Sequence, residues 1–160
     1  MKQKVRFLLL LLMGILTFST IQAYAADDRL GTVVGGSLLT DDKEATITVG
    51  SKSRGAFFSS GTGSIALSGA RQICASGATT CYYAVDQISV KLCVQRLSGN
   101  NWVTVYTVPT ATKYNAYRVS TSKYYSVTGG YYYRLFGSHA AYDDGAYEGT
   151  VSYTSGLWVD

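Results

Sequence analysis

Apolar and polar residues alternate with a period of two over most of the chain beyond residue 44. In DQISVKLCVQRL (86–97), Ile88, Val90, Leu92 and Val94 fall on one side, and Gln87, Ser89, Lys91, Cys93 and Gln95 on the other. That is the pattern of a half-buried strand. ATITVG (45–50) and SIALSG (64–69) show shorter versions of it. SGNN (98–101) separates 86–97 from WVTVYTV (102–108) and predicts a hairpin between them. A loop containing Pro109 and Asn115 follows, then AYRVSTSKYYSV (116–127), YYYRLFGSHAAY (131–142) after a Gly-Gly pair, and YEGTVSYTSGLWV (147–159) after the turn DDG (143–145). These make about seven strands, with turn signals roughly every ten residues. No amphipathic helix and no solenoid or propeller period interrupts them. The expected fold is all-β: a single antiparallel β-sandwich, immunoglobulin-like or fibronectin-III-like, over residues 44–160. Local alternation does not determine sheet closure, so a closed barrel stays open at this level.

The first 25 residues follow another pattern. MKQKVRF carries Lys2, Lys4 and Arg6, an apolar run extends from Phe7 to Phe18, and QAYA places Ala23 and Ala25 at the −3 and −1 positions. A basic start, a short apolar core and small residues at the end predict a secretory signal peptide over 1–25, cut between Ala25 and Ala26. The apolar run is about twelve residues, short of the roughly twenty that span a bilayer. The predicted location is therefore secreted, extracellular. Residues 26–43, ADDRLGTVVGGSLLTDDK, have no sustained period and read as an irregular N-terminal arm.

Export changes the charge picture. The whole chain carries 14 basic and 10 acidic residues. Beyond Ala25 the balance is 11 to 10, a net charge of +1. Scattered, nearly balanced charge lacks the clustered basic face that nucleic acid requires. Cys74, Cys81 and Cys93 show no metal-ligand spacing. In an oxidising compartment one disulfide is possible, and the six-residue spacing favours Cys74–Cys81 with Cys93 as a free thiol. The alternative is three small buried hydrophobes.

Candidate chemistry centres on GGYYYRLFGSHAAYDDG (129–145). Alternation turns Tyr131, Tyr133 and Leu135 to the core and Tyr132, Arg134 and Phe136 outward, Arg134 marking the solvated side. The outward trio, with Trp102 at the mouth of the hairpin, is the candidate binding set. Ordinary cross-strand pairing would place the same residues there. His139 can be written into a triad with Ser138 or Ser152 and Asp143, but no nucleophile elbow supports one. Near a strand end it reads as a hydrogen-bonded rim residue. The acidic pairs Asp27-Asp28, Asp41-Asp42 and Asp143-Asp144 lack a calcium-loop spacing, and DDG is turn chemistry. No catalytic residue, metal or cofactor is expected.

The order VDQISVKLCVQRLSGNNWVTV, YYSVTGGYYYRLFGSHAAY and SYTSGLWV resembles a family of small secreted proteins of Gram-positive, clostridia-type bacteria with no assigned function. The resemblance covers roughly residues 62–159 and rests on Asp86, Ile88, Val90, Val94-Gln95, Trp102, Gly130 to Arg134 and His139. It implies export and an immunoglobulin-like sandwich and carries over no catalytic residue; the three cysteines fall outside its pattern. The function expected from residues and resemblance together is non-catalytic binding of a cell-surface glycan or protein. A secreted, bacteriocin-like antagonist is the alternative.

Overall fold

The computed structural model describes residues 28–50 and 57–160; the leader and the Ala25–Ala26 junction lie outside the described residues. Nine strands form one sheet: β1 (Val33–Val34), β2 (Ser37–Thr40), β3 (Glu44–Gly50), β4 (Phe58–Gly69), β5 (Gln72–Ser98), β6 (Asn101–Ser126), β7 (Tyr131–Asp143), β8 (Ala146–Tyr153) and β9 (Gly156–Val159). The path runs β1-β2-β9-β7-β5-β4-β3, with β6 on β5 and β8 on β7. The described residues are thus all-β, as expected.

Its sheet differs from the expected two-sheet antiparallel sandwich in two ways. It is one continuous sheet, and it is mixed, because β2 pairs in parallel with β9 through Leu39↔Gly156 and Thr40↔Leu157. The 26–43 segment is also more ordered than an irregular arm, since it supplies β1 and β2.

The long β5–β6 hairpin organises the fold. Its tip is Gly99-Asn100, with Gly99 at φ 57° and Ser98 paired to Asn101. β4 pairs with the first part of β5 and β7 with the last part, while β6 runs beside both. Between the two parts the ladder slips from Thr80 to Val85, and Asn115 on β6 takes φ 49°. The hairpin bends there and folds the sheet over, so that β4 faces β7 and β8 across the core. Tyr106 and Tyr125 close the fold. Their rings stack at 4.5 Å, and each hydroxyl donates across the bend, Tyr106 to Ser126 O and Tyr125 to Thr107 O.

The expected loop around Pro109 is instead a bulge within β6. Val90 pairs with Ala111 and Leu92 with Val108, so Pro109 and Thr110 together oppose Lys91. A proline with no N–H is tolerated on an edge strand at such a bulge. Residues 147–159 divide into β8 and β9, because Thr154 breaks the ladder: its hydroxyl accepts from Leu135 N and donates to Ser155 O.

Ile88, Val90, Leu92 and Val94 are fully buried and join Ile65, Ile73, Tyr133, Leu135 and Leu157 in the main core. Each such side chain contributes about 1.5–3 kcal/mol of transfer free energy. Tyr133, buried as expected, donates its hydroxyl to Thr128 O. Tyr131 sits at the margin under the Arg96 guanidinium, 4.4 Å from its ring centroid. A second cluster, Leu39, Leu97 and Tyr132 with Val34, Trp102 and Trp158, lies on the opposite face of the same strands.

Candidate functional site

That second cluster decides the fate of the predicted binding set. Tyr132, Arg134 and Phe136 do share the outer face of β7, but β1 and β2 cover its first part. Tyr132 is 2% exposed and Arg134 6% exposed, so neither offers a surface. Trp102 is half-buried, and its Nε1–H donates to Val34 O at 2.8 Å. Arg134 lies between two rings, 4.5 Å from the Trp102 centroid and 4.7 Å from that of Tyr153. Its Nε donates to Gln95 Oε1 at 2.8 Å, and Nη1 donates to Gly35 O at 2.7 Å and Ser37 Oγ at 3.0 Å. Burial lowers its pKa to about 10, a shift the Tyr153 hydroxyl partly opposes, so the group stays cationic at neutral pH. Arg134 is a clamp on the arm. Gly35 is required in this arrangement: φ is +53°, and a Cβ would press on the Trp102 ring.

His139 is fully buried rather than at the rim. Nδ1 is 3.0 Å from Thr79 Oγ1 and Nε2 is 3.0 Å from Ser152 Oγ. Thr79 Oγ1 already donates to Ser89 O, so it accepts from Nδ1–H, and Nε2 accepts the Ser152 hydroxyl proton. Burial lowers the pKa to about 4, with the Ala78 carbonyl pulling weakly the other way. The ring rests where Gly61 of β4 leaves room; a Cβ there would overlap it. The Ser152–His139 pair is therefore sealed inside the core. A hydroxyl, not Asp143, holds its second nitrogen.

The Cys74–Cys81 disulfide does not form. Both residues lie on β5, seven positions apart, and an extended strand separates them by roughly 23 Å. A disulfide needs Cα atoms about 5.5–6 Å apart. All three cysteines are free thiols. Cys81 is buried, and burial, then the Glu148 and Asp143 carboxylates, push its pKa up to about 11. Cys93 Sγ is 3.7 Å from Thr107 Oγ1. Among the described residues no group of three or more His, Cys, Asp or Glu side chains is placed to hold a metal.

The open part of the outer face lies further along β7. Tyr114 of β6 pairs with Gln87, Gln87 with Tyr142, and Tyr142 with Tyr147 of β8. Directly paired residues share a face, so three tyrosines stand in one row across four strands. They are 68%, 46% and 57% exposed, in that order. Tyr142 and Tyr147 meet at 4.9 Å. A second aromatic pair, Phe136 and Tyr153, lies on the same face with centroids 5.1 Å apart. Between the rows the positions are Ser89, Ala140 and Gly149, then Lys91, Ser138 and Val151. Six positions along β5 separate the rows, about 20 Å. Two aromatic banks thus border a strip of small residues with one valine and one cation, the composition of a stacking surface for rings with a polar rim.

Of the predicted set, only Phe136 belongs to this open face. Tyr142 and Tyr147 were missed, although their symmetric placement about DDG announces their pairing. Asp144 (φ 45°) and Gly145 (φ 76°) form the two-residue hairpin loop, which sets those tyrosines opposite one another. Tyr114 gives no comparable local signal.

Among solved structures, the crystal structure of Spo0M, a sporulation control protein from Bacillus subtilis, aligns over 74% of this chain and 50% of that one, at 6% identity and a TM-score of 0.33. The chain thus spans half the length of that protein. No curated protein matches. A family model described as a family of unknown function, DUF6147, matches residues 25–156. The chain is a member of the DUF6147 family.

Proposed function

We propose that the protein is an exported, non-catalytic binding domain that takes a cell-surface glycan on the outer face of β6, β5, β7 and β8. One observation carries this: Tyr114, Tyr142 and Tyr147 stand exposed and in register across four strands, facing Phe136 and Tyr153 over a floor of small residues. Tyrosine rings offer an apolar face at small entropic cost and a hydroxyl at the rim. A sugar ring offers the complementary pair, an apolar C–H face and peripheral hydroxyls. Export through the basic and apolar leader, and the Gram-positive source implied by the sequence resemblance, belong to the same proposal.

The test is a pull-down of cell-envelope polysaccharide and a neutral glycan panel, comparing the purified protein with Tyr142→Ala/Tyr147→Ala. Wild type should retain glycan, and the double variant should lose at least tenfold in affinity while melting at nearly the same temperature. Equal retention by both, or none by either, refutes the assignment.

A further inference from the structure

The other half of the sheet has an outer face of a different kind. In one register row Ser64, Ser76 and Ser122 stand side by side on β4, β5 and β6. The next row is Thr62, Ala78 and Ser120, and the third is Ser60, Thr80 and Arg118. On β3 the first two rows continue into Thr46 and Thr48. Nearly every side chain here is a short hydroxyl, so none reaches across the strands except Arg118. A groove of about 390 Å³ remains open between them, within the range of small-molecule clefts. Its lining includes Thr62, Ser76, Arg118, Ser120 and Ser122 and no carboxylate.

Arg118 is poised rather than neutralised. Its Nη1 donates to Thr80 Oγ1 at 2.9 Å, which orients the guanidinium along the row. Glu44, a carboxylate on this face, lies on β3, across two intervening strands from β6, and is engaged by Thr46 and Ser64. A guanidinium presents donors in a planar fork that matches a carboxylate or phosphate. The hydroxyls beside it both donate and accept, which suits the neighbouring hydroxyls of a sugar.

We infer that this groove is a second binding site, for an acidic saccharide, in which Arg118 takes the anionic group and the serine and threonine row takes the ring hydroxyls. The site is independent of the tyrosine face. It lies on the other half of the folded sheet, and it selects charge where the tyrosines select ring surface.

Calorimetry on the purified full chain tests it with four probes: a uronate tetrasaccharide, its carboxyl-reduced neutral counterpart, a phosphorylated counterpart and polyglutamate. The uronate or the phosphorylated sugar should bind at least tenfold more tightly than the neutral one, and whichever is tighter identifies the anion. Arg118→Gln, at an exposed position, should abolish that preference, and Ser120→Leu should weaken binding by filling the groove. Tyr142→Ala/Tyr147→Ala should leave the preference intact, which separates this site from the tyrosine face. Equal binding of charged and neutral sugars, an unaffected Arg118→Gln, equal binding of polyglutamate, or no saccharide binding at all would each overturn it.

Discussion

The two ends of β7's outer face carry similar side chains and have opposite fates. At one end Tyr132 and Arg134 are sealed beneath β1 and β2; at the other Tyr142 stands open beside Tyr147 and Tyr114. The strand presents both ends identically, since alternation places all of them outward. The difference lies in what crosses over them. A cation flanked by aromatic rings became an internal fastener where a polar backbone, Gly35 O and Val34 O, arrived to be bonded. Tyrosines without such a visitor remained a surface.

The strongest way to break this contrast is Arg134→Ala. It takes the charged donor from Gln95 Oε1 and the Gly35 carbonyl, leaves Ser37 with only its bond to Thr154 O, and removes two cation–π contacts. Loss of charged hydrogen bonds in a buried site predicts a cost of about 3 kcal/mol or more, read by chemical denaturation. Arg134→Lys should not restore it, because an ammonium cannot reproduce the fork. If Arg134→Ala unfolds at the wild-type midpoint, the clamp does not exist.

The inner face of β7 predicts an acid effect of similar size. His139 is neutral in the fold with a pKa of about 4, below the ordinary 6.5. Between those values the unfolded chain binds the proton and the native chain does not, so stability is full above pH 6.5 and falls as pH drops towards 4. The change amounts to about 3 kcal/mol. His139→Asn should flatten the stability profile across that window; an unchanged slope would show that His139 is not its source.

A smaller change sharpens the covered end alone. Trp102→Phe removes the hydrogen bond to Val34 O and weakens one face of the Arg134 sandwich, costing about 1–2 kcal/mol. Hydrogen exchange should speed up selectively over residues 28–40, with the β5–β7 ladder unchanged. Uniform exchange across the molecule would mean that the arm and the sheet open as one unit.

At the open end the smallest stability effect is expected. Tyr142→Ala should shift unfolding by about 0.5 kcal/mol or less, as for an exposed position, although it sits in the proposed binding row. A loss several times larger would show that Tyr142 packs as part of the fold.

Much of the frame was legible. Period-two alternation identified β3, the hairpin of 86–97 with 102–108, the strand after Gly130 and the DDG turn, because strand parity and turn chemistry act over two to four residues. It also sorted Tyr133 and Leu135 from Tyr132 and Arg134 correctly by face. The errors share a cause. Cys74 and Cys81 looked close along the sequence because the extension of β5 through both was not apparent. His139 looked terminal, yet the strand runs on to Asp143 and Gly61 of β4 lies against its ring. Arg134 looked solvated because a buried arginine needs partners, and two of them, Gly35 and Ser37, lie in a segment without periodicity.

By itself the amino-acid order determined the strand character, the turn positions and which side chains share a face, since these follow from backbone geometry and nearest neighbours. Tertiary structure alone decided which outward face is open. Arg134 is covered through bonds to Gly35 and Ser37, 99 and 97 positions away along the chain. His139 is enclosed by Gly61 from across the fold. Alternation records that a residue leaves the plane of its sheet; only the folded chain determines what it meets there.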